Sequence, residues 1–410
     1  MHIRRVEIEN IRSIKHLVWE LPEEQNGAGW HVILGDNGSG KTSFVKAIAL
    51  SFLGQKQRSA LQEVWASWKR NGKNVKIKCE IDISGEKFTT VRTIYNYVPN
   101  SSNYWSDKKG LSRIALQKFL NENLVISFGS SRRFQVYDYE SEKVVRGDNI
   151  LSRHVTVFSE KYSLSNGLQW LKDLRFQELE NKYKASESLK KVLFFINETN
   201  FLPNNVKIKS ISSDGVYVSD LSGSDISITD MSDGYRSMFS LALELIRHII
   251  TSIDIDIDDI FDPDDSARII ISGIVQIDEV DLHLHPQWQK LIGRWFKNHF
   301  PNMQFIVTTH SPLICWSADS VFVLPTPGTN EKGKFLTEEE LNRVKYGSIQ
   351  EAYMLDAFGE IGRSEEGQKK LVRLTELNNK EWDGELTEAD KKELQELRAA
   401  LPLSALRMKE

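Results

Sequence analysis

The sequence predicts an α/β fold, on three observations. Strand-like and helix-like stretches alternate through most of the 410 residues. A glycine-rich run, GDNGSGKTS at 35–43, separates a strand pattern from a helix pattern. A later apolar strand, IVQID, ends on the adjacent carboxylates Asp278 and Glu279.

Residues 2–8 alternate apolar with polar and read as a strand. HLVWEL (16–21) and WHVILG (30–35) read as two more, and a helix pattern covers 40–52. Strands return at 74–83, 87–98 and 123–129, the last running into Gly-Ser-Ser. Residues 166–200 have helical spacing, with Leu168, Leu171, Leu174 and Leu179 among the apolar positions. Short strands broken by Asn, Ser, Asp and Gly fill 203–230, and a helix covers about 234–252. The run 254–265 holds seven aspartates and reads as a solvated acidic loop, because its spacing matches no calcium loop. A strand at 269–277, a helix at about 286–299 and strands at 304–310 and 320–324 follow. From Thr337 onward the chain is polar and helical.

Composition narrows the class. Hydrophobic residues make up 40% and charged residues 27%, enough to bury a core and exclude global disorder. Net charge is −4, from 53 basic and 57 acidic residues, which excludes a globally basic nucleic-acid binder. No apolar run approaches the roughly 20 residues that span a bilayer. The charged, alternating start predicts no signal peptide. Two cysteines, Cys79 and Cys315, make neither a disulfide framework nor a zinc site alone. A cytoplasmic protein with no membrane partner is expected.

The glycine-rich run fits G-x-x-x-x-G-K-[ST], with Gly35, Gly40, Lys41 and Thr42 at the fixed positions. Glycines 35, 38 and 40 let the backbone wrap closely around phosphate. The loop Gly35, Asp36, Asn37, Gly38, Ser39, Gly40 and the helix start Lys41, Thr42, Ser43 then face an anion with their amides. Lys41 would reach the β/γ-phosphates of ATP, and the Thr42 hydroxyl would hold Mg²⁺. Asp278 would support Mg²⁺ through its water shell, and Glu279 would orient or deprotonate an attacking water. His310 closes the strand VTTH and would hydrogen-bond the γ-phosphate. MSDGYRS (231–237) precedes an amphipathic helix, where Ser232 and Gly234 would bind an anion through hydroxyl and amide. Gln276 is a polar residue in an otherwise apolar strand, with no role assigned.

Together these motifs resemble the ABC-type ATPase heads of SMC and double-strand-break-repair proteins. They also look like the short bacterial AAA-family proteins of OLD-like, AAA_21 type. GDNGSGKT is then Walker A, IVQIDE is Walker B, and MSDGYRS resembles the signature segment. VDLHLHP resembles the D-loop with Asp281, and TTHSP the switch histidine. IENIRSIK resembles the opening strand motif, in which Arg12 approaches the nucleotide. SFGSSRR (127–133) resembles the Q-loop segment but carries no glutamine. The resemblance implies a P-loop mixed sheet flanked by helices, with an inserted helical subdomain and a helical tail. It places the N-terminal lobe at 1–150, the insertion at 151–205, the C-terminal lobe at 206–330 and the tail at 331–410. It also implies a homodimer or higher homo-oligomer. There Ser232 and Gly234 close on the ATP held by the other subunit, with Asp281 at the same seam.

The interval of about 190 residues between Thr42 and Met231 is too short for a coiled-coil arm and shows no sustained heptad repeat. It predicts strands plus a helical hairpin at about 150–200. About 100 residues follow His310, without the Glu and Asp-x-Asp of a Toprim nuclease. The tail resembles that of the PtuA-like ATPases of Septu-type antiphage systems, which work with a separate nuclease, often HNH-type. Lys56, Arg58, Lys69, Arg70, Lys73, Lys76 and Lys78, with Trp65, Trp68, Arg132 and Arg133, offer a patch for DNA or RNA. Two other readings stand beside the defence ATPase. One is a repair-like ATPase acting directly on nucleic acid. The other is an ATP-bound scaffold with little turnover, against which Glu279 argues.

Overall fold

The structure is a computed structural model that describes residues 1–61, 65–83, 85–94, 105–106, 123–130, 149–159, 166–199, 201, 206–219, 223–252, 255–329, 331–347, 351–352, 355, 365–383 and 386–400. The chain forms two compact units, 1–358 and 359–410.

The first unit opens with the hairpin β1 (His2–Ile11) and β2 (Ile14–Glu20), whose Ile3, Val6, Ile8 and Leu17 point inward. Next come β3 (Gly29–Leu34), α1 (Lys41–Phe52) and α2 (Gln55–Ala60). Then β4 (Val75–Ile83), β5 (Glu86–Ile94) and β6 (Trp105–Ser106) complete an antiparallel sheet in the order β2-β1-β4-β5-β6. The chain goes on through β7 (Leu124–Phe128), α3 (Asn149–Ser152), α4 (Val155–Phe158), α5 (Asn166–Leu179) and α6 (Tyr183–Glu198). A small antiparallel sheet of β8 (Lys207–Ile211), β9 (Val216–Ser219) and β10 (Asp225–Ser227) leads to α7 (Asp233–Ser252). The last elements are α8 (Ile257–Ile260), β11 (Gly273–Ile277), α9 (Pro286–His299), β12 (Met303–Thr309), β13 (Ser320–Val323), β14 (Lys334–Phe335) and α10 (Glu338–Tyr346).

The central sheet runs β14-β13-β3-β12-β11-β7 and is parallel except at the β14 edge. Its inner strands read as near-continuous apolar runs because helices or strands cover both faces. One face, with Ile33, Val125, Ile274 and Ile306, packs on Phe44 and Ile48 of α1 and on the antiparallel sheet. The other, with Val32, Ile126, Val275 and Phe305, packs on Leu171, Val192, Phe195, Leu243 and Phe296 from α5, α6, α7 and α9. Full burial of such side chains contributes about 1.5–3 kcal/mol each. The register sets Leu34 opposite Thr309, Val307 opposite Ile277, and Ile277 opposite Phe128. Gly35, Asp278, His310 and Gly129 therefore leave the sheet at one edge, where open α/β sheets bind ligands.

The predicted 166–200 helix is two helices. Asn181 turns the chain with φ 61°, a left-handed conformation that Asn tolerates well, so α5 and α6 form the expected hairpin. The predicted 269–277 strand begins only at Gly273. Before it, the Ile269 and Ile270 amides leave the sheet to donate to the carbonyls of His299 and Ile260. At Gly273 the strands close in: a Cβ there would lie 2.9 Å from the Leu124 carbonyl. The acidic run contains the short α8, capped by Asp256, and the Asp262 and Asp265 carboxylates accept from the Asp264 and Ala267 amides. The part of the predicted 87–98 strand beyond Ile94 lies outside the described residues. Cys79 and Cys315 are free and buried. Among the described residues no helix is long and apolar enough to cross a membrane.

The second unit is a helical hairpin, α11 (Glu365–Asp383) and α12 (Glu388–Ala400). Leu374, Leu377, Leu394 and Leu397 form its core, and Arg373 bridges to Glu393 at 2.8 Å.

His154 is fully buried beside Arg153, and both effects hold its pKa down, to about 3 from an ordinary 6.5. The folded chain refuses a proton that the unfolded chain accepts, so this stability is complete above pH 6.5 and drains as pH falls toward 3. Replacing His154 with Asn should flatten the pH dependence of the melting temperature in that window. Parallel wild-type and variant curves would show that the ring does not contribute.

Candidate active site

Between Leu34 and Lys41 the chain must leave a strand, curl and enter a helix within a few residues. Gly38 (φ 81°) and Gly40 (φ 106°) take the left-handed backbone this requires. Gly40 also abuts the β1–β2 turn, since a Cβ there would lie 2.8 Å from Ile14 and 3.0 Å from the Ser13 hydroxyl. Lys41 folds back over the loop, its ammonium donating to the carbonyls of Gly35 (2.8 Å) and Asp36 (3.1 Å). Burial lowers the Lys41 pKa, and the nearby carboxylates Glu279, Asp278, Asp281 and Asp36 oppose that shift.

Asp278 is buried at the end of β11, and its amide donates to the Phe128 carbonyl at 2.9 Å. Its Oδ1 accepts from the Thr308 hydroxyl at 2.6 Å. The Thr308 oxygen in turn accepts from the Glu279 amide at 2.8 Å. Glu279 takes φ 47°, an unusual conformation for this residue type. Asp281 Oδ1 accepts from the Thr309 hydroxyl at 2.5 Å. His310 is exposed at the strand end, where partial burial and Lys41 hold its pKa below the ordinary value against Asp281, Glu279 and Asp36. Lys41, Asp36, Asp278, Glu279, Asp281 and His310 thus share one electrostatic field at the sheet edge.

Among the described residues neither Ser232 nor Gly234 makes a hydrogen bond to residues 35–43. Gly234 packs on the turn that follows Glu279: a Cβ there would lie 2.8 Å from the His283 carbonyl. Tyr235 meets Trp288 edge-on at 4.6 Å. Arg12 lies on the turn beside Gly40, exposed, with its guanidinium 5.2 Å from the centre of the Trp68 ring.

The basic patch does not form as read. Arg58 and Trp68 are core: Arg58 donates to the Leu53 carbonyl at 2.6 Å, and Trp68 stacks on Phe158. Lys76 and Lys78 pair with Glu9 and Glu80, and Arg70 donates to the Arg12 and Ser13 carbonyls. Arg132 and Arg133 lie outside the described residues. Sequence reasoning missed Thr308 and Thr309, although the paired threonines before His310 were visible.

A G-x-x-x-x-G-K-T loop and paired carboxylates share one edge of a mainly parallel sheet, the arrangement of P-loop ATPases. The chain belongs to the family described as "AAA domain, putative AbiEii toxin, Type IV TA system", which matches residues 31–315. It is 29% identical over 330 residues to the Septu protein PtuA of Bacillus mycoides (strain KBAB4), covering 76% of this chain and 38% of that protein. A Vibrio cholerae (serotype O1 biovar El Tor) protein named "Retron Vc95 probable ATPase" is 32% identical over 177 residues, covering 38% of this chain and 32% of the relative. The chain therefore spans well under two thirds of these two relatives. The Septu protein PtuA of Bacillus thuringiensis is 27% identical over 361 residues, covering 84% of this chain and 80% of the relative. Among solved structures, an SMC head bound to the C-terminal winged-helix domain of ScpA aligns with TM-score 0.52 and 16% identity. That alignment covers 83% of this chain and 99% of the other. The likeness carries the fold.

Gly40→Ala should lower stability by about 2 kcal/mol in urea denaturation, because the backbone is left-handed and the space is filled. Unchanged stability would show that the loop relaxes freely away from Ile14.

Proposed function

We propose that the chain binds and hydrolyses ATP as a head dimer and uses that cycle to control a separate nuclease in bacterial antiphage defence. The observation that supports this most is the shared field of Lys41, Asp278, Glu279 and His310 at the edge where Gly35 opens the phosphate loop. The PtuA and retron relatives and the resemblance of the tail favour the defence setting.

In this reading ATP phosphates displace the loop carbonyls of Gly35 and Asp36 from Lys41. The Thr42 hydroxyl and Asp278 carboxylate are hard oxygen donors of the kind that suits Mg²⁺. Bound there, the ion would neutralise charge on the β- and γ-phosphates. Glu279 orients the attacking water. His310 donates one hydrogen bond to the γ-phosphate. Ser232, Gly234 and Asp281 act across the dimer seam, and Arg12 approaches the nucleotide from the β1–β2 turn. Lobes 1–150 and 206–330 carry the site and 151–205 is an insertion. The tail, 331–410, docks an HNH-type partner.

Glu279→Gln should slow hydrolysis by roughly 100-fold or more while ATP binding persists, so that ATP-bound dimers accumulate in light scattering. A nuclease co-purifying with this variant would support the defence reading. Nucleic acid without a protein partner would move it to a repair-like ATPase, and wild-type turnover in the variant would overturn the role of Glu279. Ser232→Arg should abolish both turnover and ATP-dependent association. Unchanged values would contradict the sandwich.

A further inference from the structure

Gln276 lies two residues before Asp278 on the sheet face that meets α1, directly opposite Ser127 of β7. Gln276, Ser127 and His154 are all fully buried. Gln276 Nε2 donates to the Ser127 hydroxyl oxygen at 3.0 Å. Ser127 Oγ and His154 Nδ1 are 2.8 Å apart. The Ser127 oxygen accepts from Gln276 and has a second lone pair and one proton left, so it meets His154 Nδ1 as donor or acceptor according to the ring tautomer. Amide, hydroxyl and imidazole form one hydrogen-bonded chain across the sheet edge.

The turn that carries His154 grips Ser127 from its other side. The Ser127 amide donates to the Arg153 carbonyl at 2.8 Å, and the Thr156 hydroxyl donates to the Ser127 carbonyl at 3.2 Å. The Gly129 amide reaches the Thr156 hydroxyl oxygen at 3.3 Å. Immediately after His154, Val157 and Phe158 of α4 join the apolar cluster that holds Phe44 and Ile48 of α1. The Lys46 ammonium sits 5.9 Å from the Phe158 ring centre. A continuous path thus runs from the strand of Asp278 and Glu279, through three buried polar side chains, to the helix that begins at Lys41. An apolar side chain at Gln276 would fill the same space at lower polar cost, so the buried amide calls for a reason.

We propose that the Gln276–Ser127–His154 chain is a positioning device that holds the carboxylate strand in register with the phosphate-loop helix. It rests on the ATP-hydrolase reading. All three side chains are fully buried, so the chain sets the rate of the chemical step rather than nucleotide affinity. Removing a group that hydrogen-bonds a metal-ligating side chain typically costs about 10–100-fold, and the lower end of that range is the scale expected for a device one step further out.

The test uses Ser127→Ala, Gln276→Met and the conservative His154→Asn in the full chain. Steady-state ATP turnover, equilibrium binding of a fluorescent ATP analogue, melting temperature and amide exchange of segment 273–280 would be measured. Ser127→Ala and Gln276→Met should each lower kcat about ten-fold with KM and analogue affinity within about two-fold. The double variant should cost little more than either single, because both break one chain. His154→Asn keeps an acceptor near the Nδ1 position and should retain most of kcat. Exchange of 273–280 without nucleotide should quicken in the first two variants. A fall in melting temperature with unchanged kcat would overturn the proposal and leave a purely structural cluster. Parallel loss of kcat and affinity would also overturn it. The exchange readout stands without turnover: an inactive wild type counts against the ATPase reading, and unaltered exchange counts against the chain.

Discussion

The Thr308 hydroxyl donates to the Asp278 carboxylate and accepts from the Glu279 amide, at 2.6 and 2.8 Å. A hydroxyl has one proton and two lone pairs, so one group can fix a side chain and a backbone amide together. The Thr308 carbonyl also takes the Val280 amide at 2.9 Å. The chain around Glu279 is therefore stitched on both sides to the neighbouring strand. This matters because Glu279 takes a left-handed backbone, which costs of order 1–3 kcal/mol and persists only where the surroundings enforce it. The residue assigned to water activation is pointed by its neighbour, not by its own preference.

That stitch works only if β11 and β12 stay in register, and the register is a property of the whole sheet. Parallel strands buried on both faces cannot slide without exposing apolar side chains or moving Gln304. That side chain accepts from the Ile3 amide and donates to the Ile3 carbonyl, which ties β12 to the antiparallel sheet. The same sheet presents the β1–β2 turn to Gly40, so one hairpin both pins the central strand and buttresses the phosphate loop. Fold and site thus share their supports.

The phosphate loop, the carboxylate pair and the strand histidine were legible because each is a local pattern at an element end. The helix at 286–299 was legible for a similar reason: Pro286 starts it, and His285 accepts from the Gln287 amide. Long-range contacts were not legible. Nothing local distinguishes Arg58 and Trp68, which are buried, from Lys73, which is exposed. The Ser127–Gln276 pair spans 149 positions, and only the parallel register brings the two together. The late start of β11 at Gly273 was hidden because 269–272 is as apolar and β-branched as a strand. Its amides go instead to His299 and Ile260.

The most direct test is single-turnover ATP hydrolysis by Thr308→Val and Thr308→Ser at saturating nucleotide. Serine keeps the bridging hydroxyl, whereas valine keeps the shape and removes the bridge. The account predicts that the serine variant hydrolyses near the wild-type rate and the valine variant at least about ten-fold more slowly. A valine variant as fast as wild type would show that the two carboxylates are positioned without Thr308, and would contradict the account.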